Sequence, residues 1–230
     1  MNNKLVIFGN AEIASLAKYY FEQDSKYTVV AFTVDDEYCN EDTFEGLPLI
    51  PFSQVKSKYN PNDYDMHVAL SYQKLNKLRE AKFFQAKNAG YALASYVSSK
   101  SVSWPDLSIG ENCFILENQT IQPTVKIGDN VMIWSGNHIG HGTIIKNHVY
   151  MASHICISGH CEIGERSFIG VNSAFRDFCK VGSDCFITMG ASVVRSSLEA
   201  GSVVLGSQST YLGSNDRTGI SIKNKYFGIN

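Results

Sequence analysis

The chain has 230 residues, enough for two modest domains, with 44% hydrophobic and 18% charged residues and a formal net charge of −2. Near-neutral charge excludes an electrostatic case for nucleic acid or an anionic membrane surface. No apolar run approaches the roughly 20 residues of a membrane span, and the short stretch Leu5 to Gly9, followed by Glu12, does not read as a signal peptide; a soluble, cytoplasmic protein is expected.

Residues 5–9 (Leu-Val-Ile-Phe-Gly) read as a buried strand, followed by a helix from about Ala11 to Phe21. Thr28 to Val34, Leu47 to Pro51 and His67 to Leu70 read as further extended pieces, Leu75 to Asn88 as a helix, and Tyr91 to Val97 as a last strand. Strands alternating with helices predict a small Rossmann-like parallel α/β sheet over residues 1–98. Ligands of such sheets bind beyond the carboxyl ends of the strands. Those ends present Gly9, Asn10 and Ala11, then Asp35 and Asp36, then Ser71 and Tyr72. Gly-Asn-Ala-Glu lacks the later glycines of a dinucleotide fingerprint; the acidic pair could instead accept bonds from a base or ribose.

Residues 98–108, with Trp104 and Pro105, connect to a second domain over 99–214, and a polar, Lys-rich tail over 215–230 follows. From Ile109 every sixth residue through Ile115, Ile121, Ile127, Ile133, Ile139, Ile145, Met151, Ile157, Ile163, Ile169, Phe175, Val181 and Ile187 to Val193 is large and apolar. A helix repeats at 3.6 and a strand at 2, so neither explains the pattern. A hexapeptide period predicts a parallel β-helix whose coils hold about 18 residues each. Glycines after the column, such as Gly110, Gly128 and Gly140, are expected at corners that use their backbone freedom. The register is expected to break at Glu199. Cys113, Cys161, Cys179 and Cys185 share the small-residue slot four positions after the column, which predicts packing rather than disulfides or zinc.

Five of the six histidines fall between His138 and His160, whereas His67 sits alone in a strand and reads as structural. The five could be corner residues, a metal cluster drawn from His138, His141 and His160, or one catalytic base among bystanders. The third reading is favoured because His141 lies two residues past a column Ile, and one coil onward comes Gly159 in Ser-Gly-His. A general base beside an unobstructed backbone N–H suits acyl transfer, and an imidazole of pKa about 6.5 suits proton removal at neutral pH.

Asn-His-Ile-Gly-His, Ala-Ser-His-Ile-Cys-Ile-Ser-Gly-His and Ile-Gly-Val-Asn-Ser-Ala together resemble the bacterial sugar O-acyltransferase family, which includes sialic acid O-acetyltransferases and N-acetyltransferases of nucleotide-linked 4-amino sugars. The resemblance implies a left-handed β-helix and a homotrimer with sites between subunits. It also implies acetyl-CoA as co-substrate, no resident cofactor or metal, and a setting in surface polysaccharide synthesis. Carried onto this chain, it makes His141 the general base and Gly159 the donor to the acetyl carbonyl. Gly9, Asn10, Ala11, Asp35 and Asp36 would hold the nucleotide, Asn118 the sugar, and Val171 and Met189 the CoA arm. Three positions depart from the family pattern: Ile13 replaces a histidine near the sugar, Gly142 replaces an acidic residue that orients the base, and Gly206-Ser207-Gln208-Ser209 replaces Gly-x-Pro-Ala. The reading is N-acetylation of a nucleotide-linked amino sugar. Its rivals are O-acetylation, a zinc-dependent hydratase and a non-catalytic nucleotide-sugar-binding protein.

Overall fold

A computed structural model describes residues 3–207, 212 and 214–227, the side chains of Tyr226 and Phe227 excepted. The N-terminal domain contains β1 (Asn3–Phe8), α1 (Glu12–Gln23), β2 (Tyr27–Val34), β3 (Thr43–Phe44), β4 (Leu47–Pro51), α2 (Phe52–Lys58), β5 (Asp65–Val68) and α3 (Lys77–Asn88). Its sheet runs in the order β3-β4-β2-β1-β5, parallel except for the β3–β4 hairpin. Leu5, Val6, Ile7 and Phe8 are all buried, as a strand covered on both faces requires. The expected sheet is present, and α2 is an addition. Only Val55 of α2 is buried, so its sequence carries almost no helical period.

The expected last strand of this domain belongs elsewhere. Only Tyr96–Val97 is extended, and it pairs with Phe114–Ile115 as the first rung of the β-helix. Leu93 makes a single bridge to Met66, so the chain leaves one domain and enters the other within a few residues.

From there the chain winds a left-handed parallel β-helix whose rungs stack on three faces. Ile109 pairs with Ile127 and Ile127 with Ile145, a coil of eighteen residues. The column from Ile115 to Val193 is buried throughout. The period shortens once: Val181 pairs with Leu198 and Ile187 with Val204. One residue is skipped, Leu198 takes the column place, and Glu199 turns outward.

The glycines act differently from the sequence expectation. Left-handed backbone occurs two residues later than Gly110 and Gly128, at Asn112 (φ 55°) and Asn130 (φ 57°), and likewise at His148, His154 and His160. Gly140 and Gly164 are instead needed for close approach: a β-carbon there would stand 2.5 Å and 2.3 Å from the main chain of the next coil.

All six cysteines are free. Burial pushes the Cys113 thiol up to about 12 and that of Cys179 up to about 11, so these thiols stay protonated and pack. The tail forms an amphipathic helix, α4 (Arg217–Phe227); the packing of Tyr226 and Phe227 and the positions of Gln208 and Ser209 lie outside the described residues. No helix among the described residues is long and apolar enough to cross a membrane.

The two domains share one core. Phe114, Leu116, Met132 and Tyr150 on one face of the β-helix pack with Leu5, Ile7 and Phe21 of the α/β domain. Beside this face the fully buried Arg79 of α3 donates to the main-chain oxygens of Asn130 and, at 3.0 Å, His148, and to Asn76 Oδ1 at 2.9 Å. Asn76 Nδ2 reaches Arg166 O at 2.8 Å. These bonds set the α/β domain at one orientation on the prism.

Candidate active site

Side chains alternate around the prism so that each corner presents one residue per coil. One edge carries Pro123, His141, Gly159 and Asp177; the preceding edge carries Ser135, Ser153, Val171 and Met189; the remaining edge, beside α3, carries Asp129 and Asn147. The register of eighteen puts members of an edge directly above one another.

His141 is exposed, and its ring meets Gly159 of the next coil: a β-carbon at 159 would stand 2.7 Å from Cε1 and 2.8 Å from Nε2. The expected pair is thus brought together. The expected free donor is not. The Gly159 N–H donates to Asp177 Oδ1 at 2.9 Å, because the carboxylate one coil further on caps the corner amide. On the other side of the ring, Gln122 Oε1 accepts from the His141 main-chain N–H at 2.8 Å and lies 3.0 Å from Nδ1.

The remaining histidines scatter. His148 is buried at the domain junction, where it lies 3.5 Å from Glu80; burial lowers its pKa. His154 lies over Gly136 on the preceding edge. His138 is on a strand facing outward, in register with Cys156. His160 stands edge-on to His141 at 4.8 Å and stacks on Phe178 at 5.1 Å. Among the described residues no group of three His, Cys, Asp or Glu is placed to hold a metal ion.

A cleft of about 440 Å³ opens between the α/β domain and the β-helix, lined among others by Ala11, Ile13, Ser71, Tyr72, Trp134 and Tyr150. Gly9 is buried behind the lining residue Ala69, with φ 137° and room for no β-carbon beside the Ala69 oxygen at 2.8 Å. Asn10 is exposed at its margin. Tyr72 packs edge-on against Tyr150 at 5.0 Å and Phe168 at 4.8 Å, and the Trp134 indole N–H donates to the Tyr150 hydroxyl. Burial pushes that phenol up to about 12, so it stays neutral. Lys74, Leu75 and Asn76, which follow Tyr72 and Gln73, are all left-handed, at φ 52°, 52° and 65°. Three such residues in a row store strain, and the buried bonds of Asn76 hold it.

Other expected ligand residues fall outside this cleft. Asp35 pairs with Lys82 at 2.6 Å. Asp36 accepts from the Ser53 hydroxyl at 2.5 Å and its N–H at 3.1 Å, bonds that lower its pKa. Asn118 is an exposed left-handed corner whose N–H goes to Lys100 O at 3.2 Å. Val171 is half-buried and Met189 exposed, both on the edge before that of His141. Trp134 and Tyr150 were not anticipated. Their signal was the outward position just before or just after the column, where Phe114, Met132, Tyr150 and Phe168 also recur every eighteen residues.

A sequence profile described as bacterial transferase hexapeptide (six repeats) matches residues 106–141. Acyl-[acyl-carrier-protein]–UDP-N-acetylglucosamine O-acyltransferase of Sinorhizobium fredii is 30% identical over 88 residues, covering 35% of this chain and 33% of that protein. The chain thus spans about a third of the length of such curated relatives. PerB from Caulobacter crescentus, solved with CoA and GDP-perosamine, superposes with a TM-score of 0.78 at 20% identity, covering 90% of this chain and 99% of that one. The acetyltransferase domain of PglB from Neisseria gonorrhoeae, solved with acetyl coenzyme A, gives 0.76 at 21% identity over 92% and 100%. At these identities the likeness is one of fold. The chain carries a hexapeptide repeat and has the two-domain fold of these two solved structures, an α/β domain set on a left-handed β-helix.

Proposed function

We propose that the protein transfers an acetyl group from acetyl-CoA to the amine of a nucleotide-linked amino sugar. The observation that carries this reading is the His141–Gly159 contact on an exposed edge of a β-helix that also bears an interdomain cleft. The His141 imidazole takes a proton as the amine nitrogen bonds to the thioester carbonyl carbon. The tetrahedral oxyanion collapses with cleavage of the C–S bond, and the CoA sulfur leaves with the proton returned from the imidazolium. Asp177 swings away so that the Gly159 N–H can meet the oxyanion. Val171 and Met189 are proposed to contact the CoA arm.

The nucleotide-sugar is assigned to the cleft. Among the described residues none that lines it is Lys or Arg and none caps α1 with a side chain, so a pyrophosphate would rely on the first N–H groups of α1. Asp35 and Asp36 are proposed to meet the base or ribose once Lys82 and Ser53 release their carboxylate oxygens. Trp134 offers the flat apolar surface on which a sugar ring stacks.

His141 is not among the residues that line the cleft. Trp134 precedes one edge of the prism and His141 stands on the next, with the rung His138–Ile139 between them, at most roughly 23 Å of extended chain. We therefore propose that a second copy brings its His141 edge to the cleft, as a homotrimer would allow. Thiol release from acetyl-CoA against a panel of GDP- and UDP-linked sugars, amino and non-amino, tests the reading. Release only with amino sugars supports it; release with sugars bearing only hydroxyls moves it to O-acetylation; no release with any of them overturns it.

A further inference from the structure

Gln122 stands one coil before His141, on the rung's exit from Ile121, and nothing in the hexad pattern marks it. Its side-chain amide makes two contacts with His141, and together they decide a question that coordinates alone leave open. A main-chain N–H can only donate, so the Gln122 atom 2.8 Å from His141 N is the carbonyl oxygen. That oxygen can only accept, so the ring nitrogen 3.0 Å from it, Nδ1, carries the hydrogen. The lone pair of the neutral ring is then on Nε2, which lies against Gly159.

The other side of the ring explains why orientation comes from this direction. Residue 142 is a left-handed glycine (φ 66°), and a β-carbon there would stand 2.5 Å from His160 Nδ1. The His160 ring fills the space that a side chain directly after His141 would occupy, and itself stands edge-on to His141. An orienting group attached at 142 has no room, whereas the preceding coil supplies one.

We infer that Gln122 is the positioning residue of this site: it fixes the Nδ1–H tautomer of His141 and holds Nε2 as the proton acceptor. The inference rests on His141 serving as base. A neutral amide differs from a carboxylate in one respect that matters here. It fixes tautomer and orientation without adding a negative charge to stabilise the imidazolium, so its contribution is geometric.

The test is nitrogen-15 NMR of the His141 imidazole in the full-length protein without substrates, assigned by comparison with His141→Gln. In the wild type at a pH where the ring is neutral, Nδ1 should be the protonated nitrogen. In Gln122→Leu the Nε2–H tautomer should become the larger population. Gln122→Glu, which keeps an acceptor for both N–H groups, should retain the Nδ1–H form and move the acidic limb of the pH–rate profile upward. With an acceptor sugar in hand, Gln122→Leu should lower kcat about tenfold or more with KM for acetyl-CoA little changed, and Gln122→Glu should recover most of it. An Nε2–H tautomer in the wild type, or a tautomer ratio unmoved by Gln122→Leu, overturns the inference. Because the NMR needs no turnover, a correct tautomer in a protein that transfers no acetyl group would count against the proposed function and not against Gln122.

Discussion

The imidazole of His141 occupies the space that a side chain at Gly159 would need, with Nε2 2.8 Å from where a β-carbon would stand. Gly159→Ala therefore has to displace the ring. Turnover should fall by two or more orders of magnitude, as for His141→Ala, the scale of a lost general base. Steady-state kinetics check both, and near-normal kcat in His141→Ala would remove that residue from the mechanism.

Asp177 caps the Gly159 amide proposed to meet the oxyanion. If the carboxylate is only a resting-state cap, Asp177→Ala should leave kcat within a few-fold of wild type or raise it. A loss of tenfold or more, measured with saturating acetyl-CoA, would assign the carboxylate a part in the reaction instead.

Arg79 closes the seam between the domains. Its guanidinium serves the carbonyl oxygens of Asn130 and His148 and the Asn76 side chain, with no partner for Nε among the described residues. Burial lowers its pKa to about 10, yet the group stays charged at neutral pH. Arg79→Ala would orphan these acceptors and release the strained turn at Lys74 to Asn76. Stability should drop by about 3–5 kcal/mol, read by urea denaturation.

His67 supplies a pH dependence. The ring is fully buried, its Nδ1–H donates to Ala94 O at 2.9 Å, and burial lowers its pKa from 6.5 to about 4. The unfolded chain takes up the proton first as pH falls, so this contribution is complete above about pH 6.5 and declines toward pH 4. About 3 kcal/mol is at stake over that window. Urea titrations at pH 7.5 and 5 should show the loss, and His67→Phe should remove this part of it.

How much of this was legible in the sequence depends on the distance over which each feature is encoded. The hexad from Ile109 to Val193 is a local rule repeated, so it revealed the β-helix, its coil length and the alignment of His141 over Gly159. The strands of the α/β domain were legible because burial on both faces leaves continuous apolar runs. The rest came from contacts that no local pattern carries. Tyr96–Val97 reads as the end of one sheet and is the first rung of another, because its partner is Phe114. Asp35 and Asp36 read as open ligands, but Lys82 and Ser53 reach them from other elements. Gly159 reads as an open donor until Asp177, one coil on, is placed over it. The cleft sets Ile13 and Tyr72 opposite Trp134 and Tyr150, and Gln122 meets His141 across coils. The repeat alone determined the scaffold and the edge on which His141 stands. Only the folded chain decided which groups are free to act there, because hydrogen-bond satisfaction and side-chain volume are settled between residues far apart in sequence.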